Sequence, residues 1–146
     1  MAMKTFLMLW KPSTWPQFAE EIPQLQAEIR DAGRVAHSWS SGGRKHDIEP
    51  GDRIYLIRTG LQPWSVIASG TASSRIYQDP QKPYPNEVDV DWDHIVDQDK
   101  AMPIPDEDPE LYTYVTKRQA SGNELSAEHA RMLAVHWDRH LHRRTR

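Results

Sequence analysis

Apolar residues fall along this chain in two rhythms, and the rhythm changes where the elements must change. Residues 4–10 (KTFLMLW) are short and almost wholly apolar, the pattern of a buried strand. Residues 11–16 (KPSTWP) hold two prolines and read as a turn and cap. Phe18, Ile22, Leu25 and Ile29 then recur at helical spacing, and Gly33 supplies a natural stop. Pro23 lies inside that pattern and is expected to open the main helix after a short turn, because a first turn tolerates proline.

The period then shortens. Residues 33–39 (GRVAHSW) predict a second strand, and 40–47 (SSGGRKHD) a polar, basic loop. A turn at 49–52 (EPGD) leads into a strand over 53–58 (RIYLIR). Residues 59–64 (TGLQPW) connect it to a strand over 65–74 (SVIASGTASS) carrying Gly70. Residues 75–87 are expected as a loop. In 87–95 (EVDVDWDHI) the period is two: Val88, Val90 and Trp92 face one way, and Asp89, Asp91 and Asp93 the other. Residues 97–110 read as a loop and 112–115 (YTYV) as a last short strand. Ser126 caps a final helix with Ala130, Leu133, Ala134, Trp137 and Leu141 on its apolar stripe. Residues 140–146 are expected as a frayed basic tail. The elements predict an α+β fold in one domain, residues 1–146, with a barrel-like mixed sheet of five or six strands flanked by helices.

Composition narrows the function. The chain has no cysteine, which excludes disulfides, thiolate metal sites and cysteine nucleophiles. No apolar run approaches the ~20 residues of a membrane span, and the N-terminal stretch lacks a signal-peptide cleavage site, so no membrane partner and a cytoplasmic location are expected. The net charge of −3 is unevenly spread. Ten of the acidic side chains fall in 87–110, with Lys100 as the only base there; the remaining residues carry a net +6. The overall charge therefore does not exclude a phosphate-bearing partner.

Six tryptophans, at 10, 15, 39, 64, 92 and 137, exceed what a core of this size uses, and each brings an N–H that needs a partner when buried. Trp92 and Trp137 lie on apolar stripes and are expected in the core. Catalytic signals are thin. His136 and His140 stand at a zinc-binding spacing, but the segment HWDRH lacks the glutamate of HExxH. Asp89, Asp91 and Asp93 read as a solvated strand face. No phosphate-cradling or dinucleotide glycine motif occurs, and Ser38, Ser40 and Ser41 lack a nucleophile elbow. A binding module is expected, with neither enzyme activity nor a metal or other cofactor.

One ordered set of segments carries more. FLMLWKPSTW, SWSSG, GDRIYLIRTG, VIASG and RQASGNEL follow one another along the chain. In that order they resemble the EVE domain, a PUA-like fold related to the YTH domain, and are most like the EVE domains fused to HNH nucleases in modification-dependent restriction. Lys11 departs from the pattern where asparagine is common. The 146 residues contain no HNH segment, so nuclease activity is not carried over; a separately encoded nuclease partner is compatible with the resemblance.

The resemblance implies a PUA-like sheet and a reader that takes a modified base of a nucleic acid into an aromatic cage. Trp39 matches the cage tryptophan. Trp10, Trp64, Tyr77 and Tyr84 are further candidate walls, and Ser13, Ser38 and His37 candidate base-edge partners. Arg44, Lys45, Arg58, Arg75 and Lys82 are candidate phosphate contacts. The leading ligand is 5-methylcytosine or 5-hydroxymethylcytosine in DNA; a methylated base in RNA and a small planar ligand are the alternatives. Stacking one base contributes ~1–3 kcal/mol, while extracting it from a duplex costs a few kcal/mol. Net affinity must therefore come from phosphate contacts.

Overall fold

The computed structural model describes residues 3–117 and 121–144. Eight strands and three helices follow in the order β1 (Thr5–Trp10), α1 (Gln17–Ala32), β2 (Val35–Ser40), β3 (Arg53–Arg58), β4 (Ser65–Ala72), β5 (Tyr77–Gln78), β6 (Asn86–Ile95), β7 (Met102–Pro103), α2 (Pro109–Thr116), β8 (Asn123–Leu125) and α3 (Ala127–Arg144). One mixed sheet runs β2-β6-β4-β3-β1-β8, with β5 paired to β6 and β7 to β4. Only the β1–β3 ladder is parallel, in register from Thr5↔Arg53 to Trp10↔Arg58. The fold is of the α+β class expected, with one mixed sheet flanked by helices. The five longer strands are those read from the pattern; β5, β7 and β8 have two or three residues each, too few to show a period.

The sheet is curled but open. No backbone ladder joins β2 to β1 or β8 among the described residues, yet the ends meet through side chains. The Trp39 indole N–H donates to Leu9 O at 3.1 Å. Ser121 Oγ accepts from Leu9 N (3.1 Å) and donates to Ser40 O (2.8 Å).

Burial explains the apolar runs. The interiors of β3 and β4 are covered on both faces, so Ile54, Leu56, Ile57, Val66, Ile67 and Ala68 are all fully buried. Helix α1 packs by Phe18, Ile22 and Leu25 and ends at Gly33 (φ 84°), whose N–H donates to Ile29 O at 2.7 Å. Pro23 does not open this helix. It lies within one continuous helix that begins at Gln17, so helix-face burial outweighs the lost N–H and the clash that proline introduces.

The strand expected at 112–115 is instead part of α2. Leu111 and Val115, four apart, are both fully buried, and this one-sided burial overrides the β-forming composition of YTYV. Pro109 stands in the first turn, where its missing N–H costs nothing. The basic run from residue 140 continues α3 as far as Arg144.

Two features of β4 and β6 shape the sheet and its packing against α3. At Gly70 a Cβ would lie 2.5 Å from Asp91 O and 2.9 Å from the Trp92 ring, which is why this strand position needs glycine. Beside it the β4–β6 register steps from Ser69↔His94 to Gly70↔Trp92, leaving Asp93 as the extra residue of a bulge. The bulge aims Asp93 at Arg53, which donates to it, and at Ser69 Oγ, which donates at 2.7 Å; Trp137 Nε1 donates to the same Ser69 Oγ at 2.9 Å. This chain of bonds ties α3 to the sheet.

Candidate functional site

Phe18, projecting from α1, gathers three of the singled-out rings. Trp10 meets it edge-on at 5.0 Å and Trp39 at 4.9 Å, with His37 at 5.9 Å. The three play different parts. Trp10 is 1% exposed and its indole N–H donates to Trp15 O at 2.8 Å, so it is a core residue that fixes the 11–16 turn. Trp39 is half-buried. Its N–H is satisfied by Leu9 O, which leaves the ring as an apolar wall of fixed orientation. His37 lies on the same strand face, its ring 6.3 Å from that of Trp39. Its Nε2 is 3.4 Å from Glu21 Oε1, and its Nδ1 is buried without a partner. Ser13 and Trp15 are exposed in the turn above.

The period of two in β2 places other candidates on the opposite face. Trp39 pairs with Val88, whereas Ser38 pairs with Asp89 and Ser40 with Glu87. Ser38 therefore joins a polar group on that second face. Lys82 Nζ is 2.6 Å from buried Glu87 Oε1 and donates to Ser38 Oγ at 3.4 Å. Tyr77, opposite Glu87 on β5, donates its hydroxyl to Asp89 Oδ1 at 2.6 Å. That bond, with burial and the acidic neighbours Glu87 and Asp79 adding to it, pushes the Tyr77 phenol up to about 12. Tyr84 is exposed in the loop between β5 and β6. The structure thus brings Trp39, His37 and Trp10 together and sets Ser38, Tyr77 and Lys82 on the other side of the sheet. Trp64, half-buried, follows the β3–β4 turn, where its carbonyl accepts from Ile104 N at 3.0 Å.

Most of the expected phosphate contacts have protein partners. Arg58 donates to Pro63 O (2.9 Å) and Ser65 Oγ (3.3 Å). Arg75 pairs with Glu49 at 3.0 Å on an open surface. Arg44 donates through Nε to Gly122 O, lies over the Phe6 ring at 5.0 Å, and pairs with Asp47 at 3.5 Å. Lys45 is exposed and forms no ion pair or hydrogen bond among the described residues.

Ser121 and Gly122 hold the loop that follows Trp39, and sequence reading did not single them out. Gly122 (φ 90°) fits only as glycine, because a Cβ would lie 2.3 Å from Ser41 O; a Cβ on Gly42 (φ 65°) would lie 2.8 Å from Ser121 O. Asn86, buried at the start of β6, closes the same loop by donating to Gly42 O at 2.9 Å and accepting at its carbonyl from Ser41 N at 3.0 Å. The SG of RQASGNEL was the available signal; its residues 118–120 lie outside the described residues.

The histidines and acids singled out earlier have structural contacts. His136 Nε2 is 2.7 Å from Asp108 Oδ2, tying α3 to the start of α2, and His140 Nε2 is 2.7 Å from Lys100 O. Among the described residues no three His, Asp or Glu side chains are grouped to hold a metal ion. Asp93 belongs to the buried bond chain, so that part of the acidic face is not simply solvated. Burial pushes its carboxyl up, but the hydrogen bonds from Arg53 and Ser69 and the Arg53 charge outweigh this and hold it below the usual carboxylate value.

Neither a protein-family model nor a curated protein matches this sequence. Solved structures do match in shape. A hypothetical protein from Leishmania major is 15% identical, with a TM-score of 0.56 over 94% of this chain and 97% of that one. The Mmi1 YTH domain in complex with RNA is 11% identical, with a TM-score of 0.56 over 97% of this chain and 82% of that one. A protein from Pseudomonas syringae is 13% identical, with a TM-score of 0.55 over 90% and 99%. The chain thus has the α+β, PUA-like architecture that includes YTH domains. No helix of the described residues is long and apolar enough to cross a membrane.

Proposed function

We propose that this protein is a nucleic-acid reader of the EVE type, a cytoplasmic binding module and not an enzyme, that stacks a modified base against Trp39. The observation that carries the reading is the state of Trp39: half-buried, with its only polar atom bonded to Leu9 O and its edge braced on Phe18. Such a ring offers an oriented, sequence-tolerant stacking face. The fold shared with an RNA-bound YTH domain supports a nucleic-acid ligand. 5-Methylcytosine or 5-hydroxymethylcytosine in DNA is the leading ligand and a methylated RNA base the second. His37, on the Trp39 face with its ring 6.3 Å from that of Trp39, is the polar candidate beside the stacking ring. Ser38 and Tyr77 on the far face do not contribute to this wall.

The test is a titration with short DNA and RNA oligonucleotides, single- and double-stranded, carrying plain or modified C and A. Binding is followed by tryptophan quenching at two salt concentrations. Tighter, salt-sensitive binding of one modified oligonucleotide is expected. Trp39→Ala should erase the preference while circular dichroism stays native, since losing a half-buried ring costs about 1–3 kcal/mol. Failure of every oligonucleotide to bind overturns the reading in favour of a small planar ligand.

A further inference from the structure

The loop after Trp39 and the 121–123 turn enclose an open hollow of about 430 Å³ lined by Gly43, Arg44, Lys45, His46, Ser121, Gly122 and Asn123. We propose that this hollow is an oxyanion site that takes one phosphate group of a nucleic-acid backbone, next to the Trp39 stacking wall. The nucleic-acid part rests on the function proposed above; the oxyanion part does not.

The lining chemistry selects the ligand. It contains no carboxylate, no Trp or Tyr ring and no branched aliphatic side chain. It does contain donors. The amides of Gly43, Lys45 and His46 have no protein acceptor among the described residues, and Lys45 has no ion-pair partner. Free loop amides beside a lysine are the makings of an anion-binding concavity. Arg44 is held by Gly122 O, Phe6 and Asp47, which fixes its position and leaves its other N–H groups for a ligand. Asp47, which follows the lining residues in the chain, pairs with Arg44 at 3.5 Å, so its charge is offset locally.

The hollow is also rigid and close to the stacking wall. Its two walls interlock where Gly42 meets Ser121 and Gly122 meets Ser41, contacts too tight to admit a Cβ. Ser121, one of the lining residues, donates to the carbonyl of Ser40, the residue that follows Trp39. A base held on Trp39 would therefore carry its own or a neighbouring phosphate towards these donors.

Two measurements test this. In the first, labelled protein is titrated with inorganic phosphate while amide resonances are followed. Saturable shifts at Gly43, Lys45 and His46 are expected, weakened at least fivefold in the exposed-site variant Lys45→Ala. Absence of saturable shifts there, or shifts indifferent to Lys45→Ala, overturns the oxyanion site. In the second, oligonucleotide affinity is measured against salt. Lys45→Ala should weaken plain and modified oligonucleotides alike and reduce the salt slope by about 0.7–0.9, the loss of one phosphate contact. An unchanged slope in an oligonucleotide that binds overturns the phosphate assignment while leaving the stacking function intact. Phosphate shifts without binding of any oligonucleotide overturn the nucleic-acid part together with the proposed function, and leave an oxyanion site of another kind.

Discussion

Ser121 joins two strands with a single hydroxyl. It accepts from the amide of Leu9, donates to the carbonyl of Ser40, and so fixes both the acceptor of the Trp39 indole and the loop beyond it. Ser121→Ala leaves two partly buried backbone groups without their partner. That should cost about 1–3 kcal/mol, read as a Tm lowered by roughly 3–10 °C. Ser121→Thr keeps the hydroxyl, and a smaller loss from it in the same melting experiment would locate the effect in the bond. Tyr77 gives a second residue-scale prediction. Its folded value of about 12 lies above the ordinary 10.0, so the Tyr77–Asp89 bond stabilises the protein fully below pH 10 and is lost as pH rises through about 12. Difference ultraviolet titration of the protein against Tyr77→Phe should show this late-titrating phenol, and Asp89→Asn should move it back towards 10. A Tyr77 signal already titrating near 10 in the unmodified protein would refute the bond.

At the scale of elements, the long strands and the two long helices were legible because each has one period and one burial pattern. Residues 54–57 and 66–68 are apolar because both faces are covered, and α3 keeps its stripe because Leu133 and Trp137 face the interior. What could not be read was set by distant partners. YTYV becomes a helix because Leu111, outside that tetrad, and Val115 are buried together. The Asp93 bulge depends on Arg53 and Ser69, forty and twenty-four residues away. Alternation alone put Asp89, Asp91 and Asp93 on one solvated face, and a period has no way to signal an extra residue. The bulge has a measurable consequence. Asp93 is held below its ordinary value near 3.8, so its contribution is present above that value and disappears as pH falls through the lower folded value. Stability curves for the protein and for Asp93→Asn should be separated at neutral pH, with the variant weaker, and converge in acid. Parallel curves across the whole range would show that the Asp93 charge is not what the bulge uses.

For the whole molecule, the curl of the sheet decides which candidates can act together. Trp39 was legible as a candidate because it precedes a flexible, basic run, and the structure leaves its ring oriented and partly open. The other walls were less legible because sequence adjacency says nothing about sheet face. Ser38 is next to Trp39 in the chain and on the other side of the sheet, while Phe18, twenty-one residues earlier, touches it. The alternation of β6 sets Asp89 and Asp91 on the face opposite Val88 and Val90, which share a face with Trp39. A nucleic acid bound on the Trp39 side should accordingly be insensitive to neutralising the far side. Asp91→Asn, half-buried on the acidic face, is expected to change oligonucleotide affinity less than twofold at physiological salt, and a larger gain would place the backbone across that face.

The glycine-to-serine clasp between residues 41–42 and 121–122 also bears on when the molecule becomes competent. Its two halves are about eighty residues apart in the chain, and the Ser121–Leu9 bond spans 112. Closing contacts of that separation carries a loop entropy that must be met before the contacts reward it. The stacking wall is therefore expected to form late in folding, after the sheet has brought the first strand and the final quarter of the chain together. A folding experiment that follows Trp39 fluorescence should see its native signal arrive last.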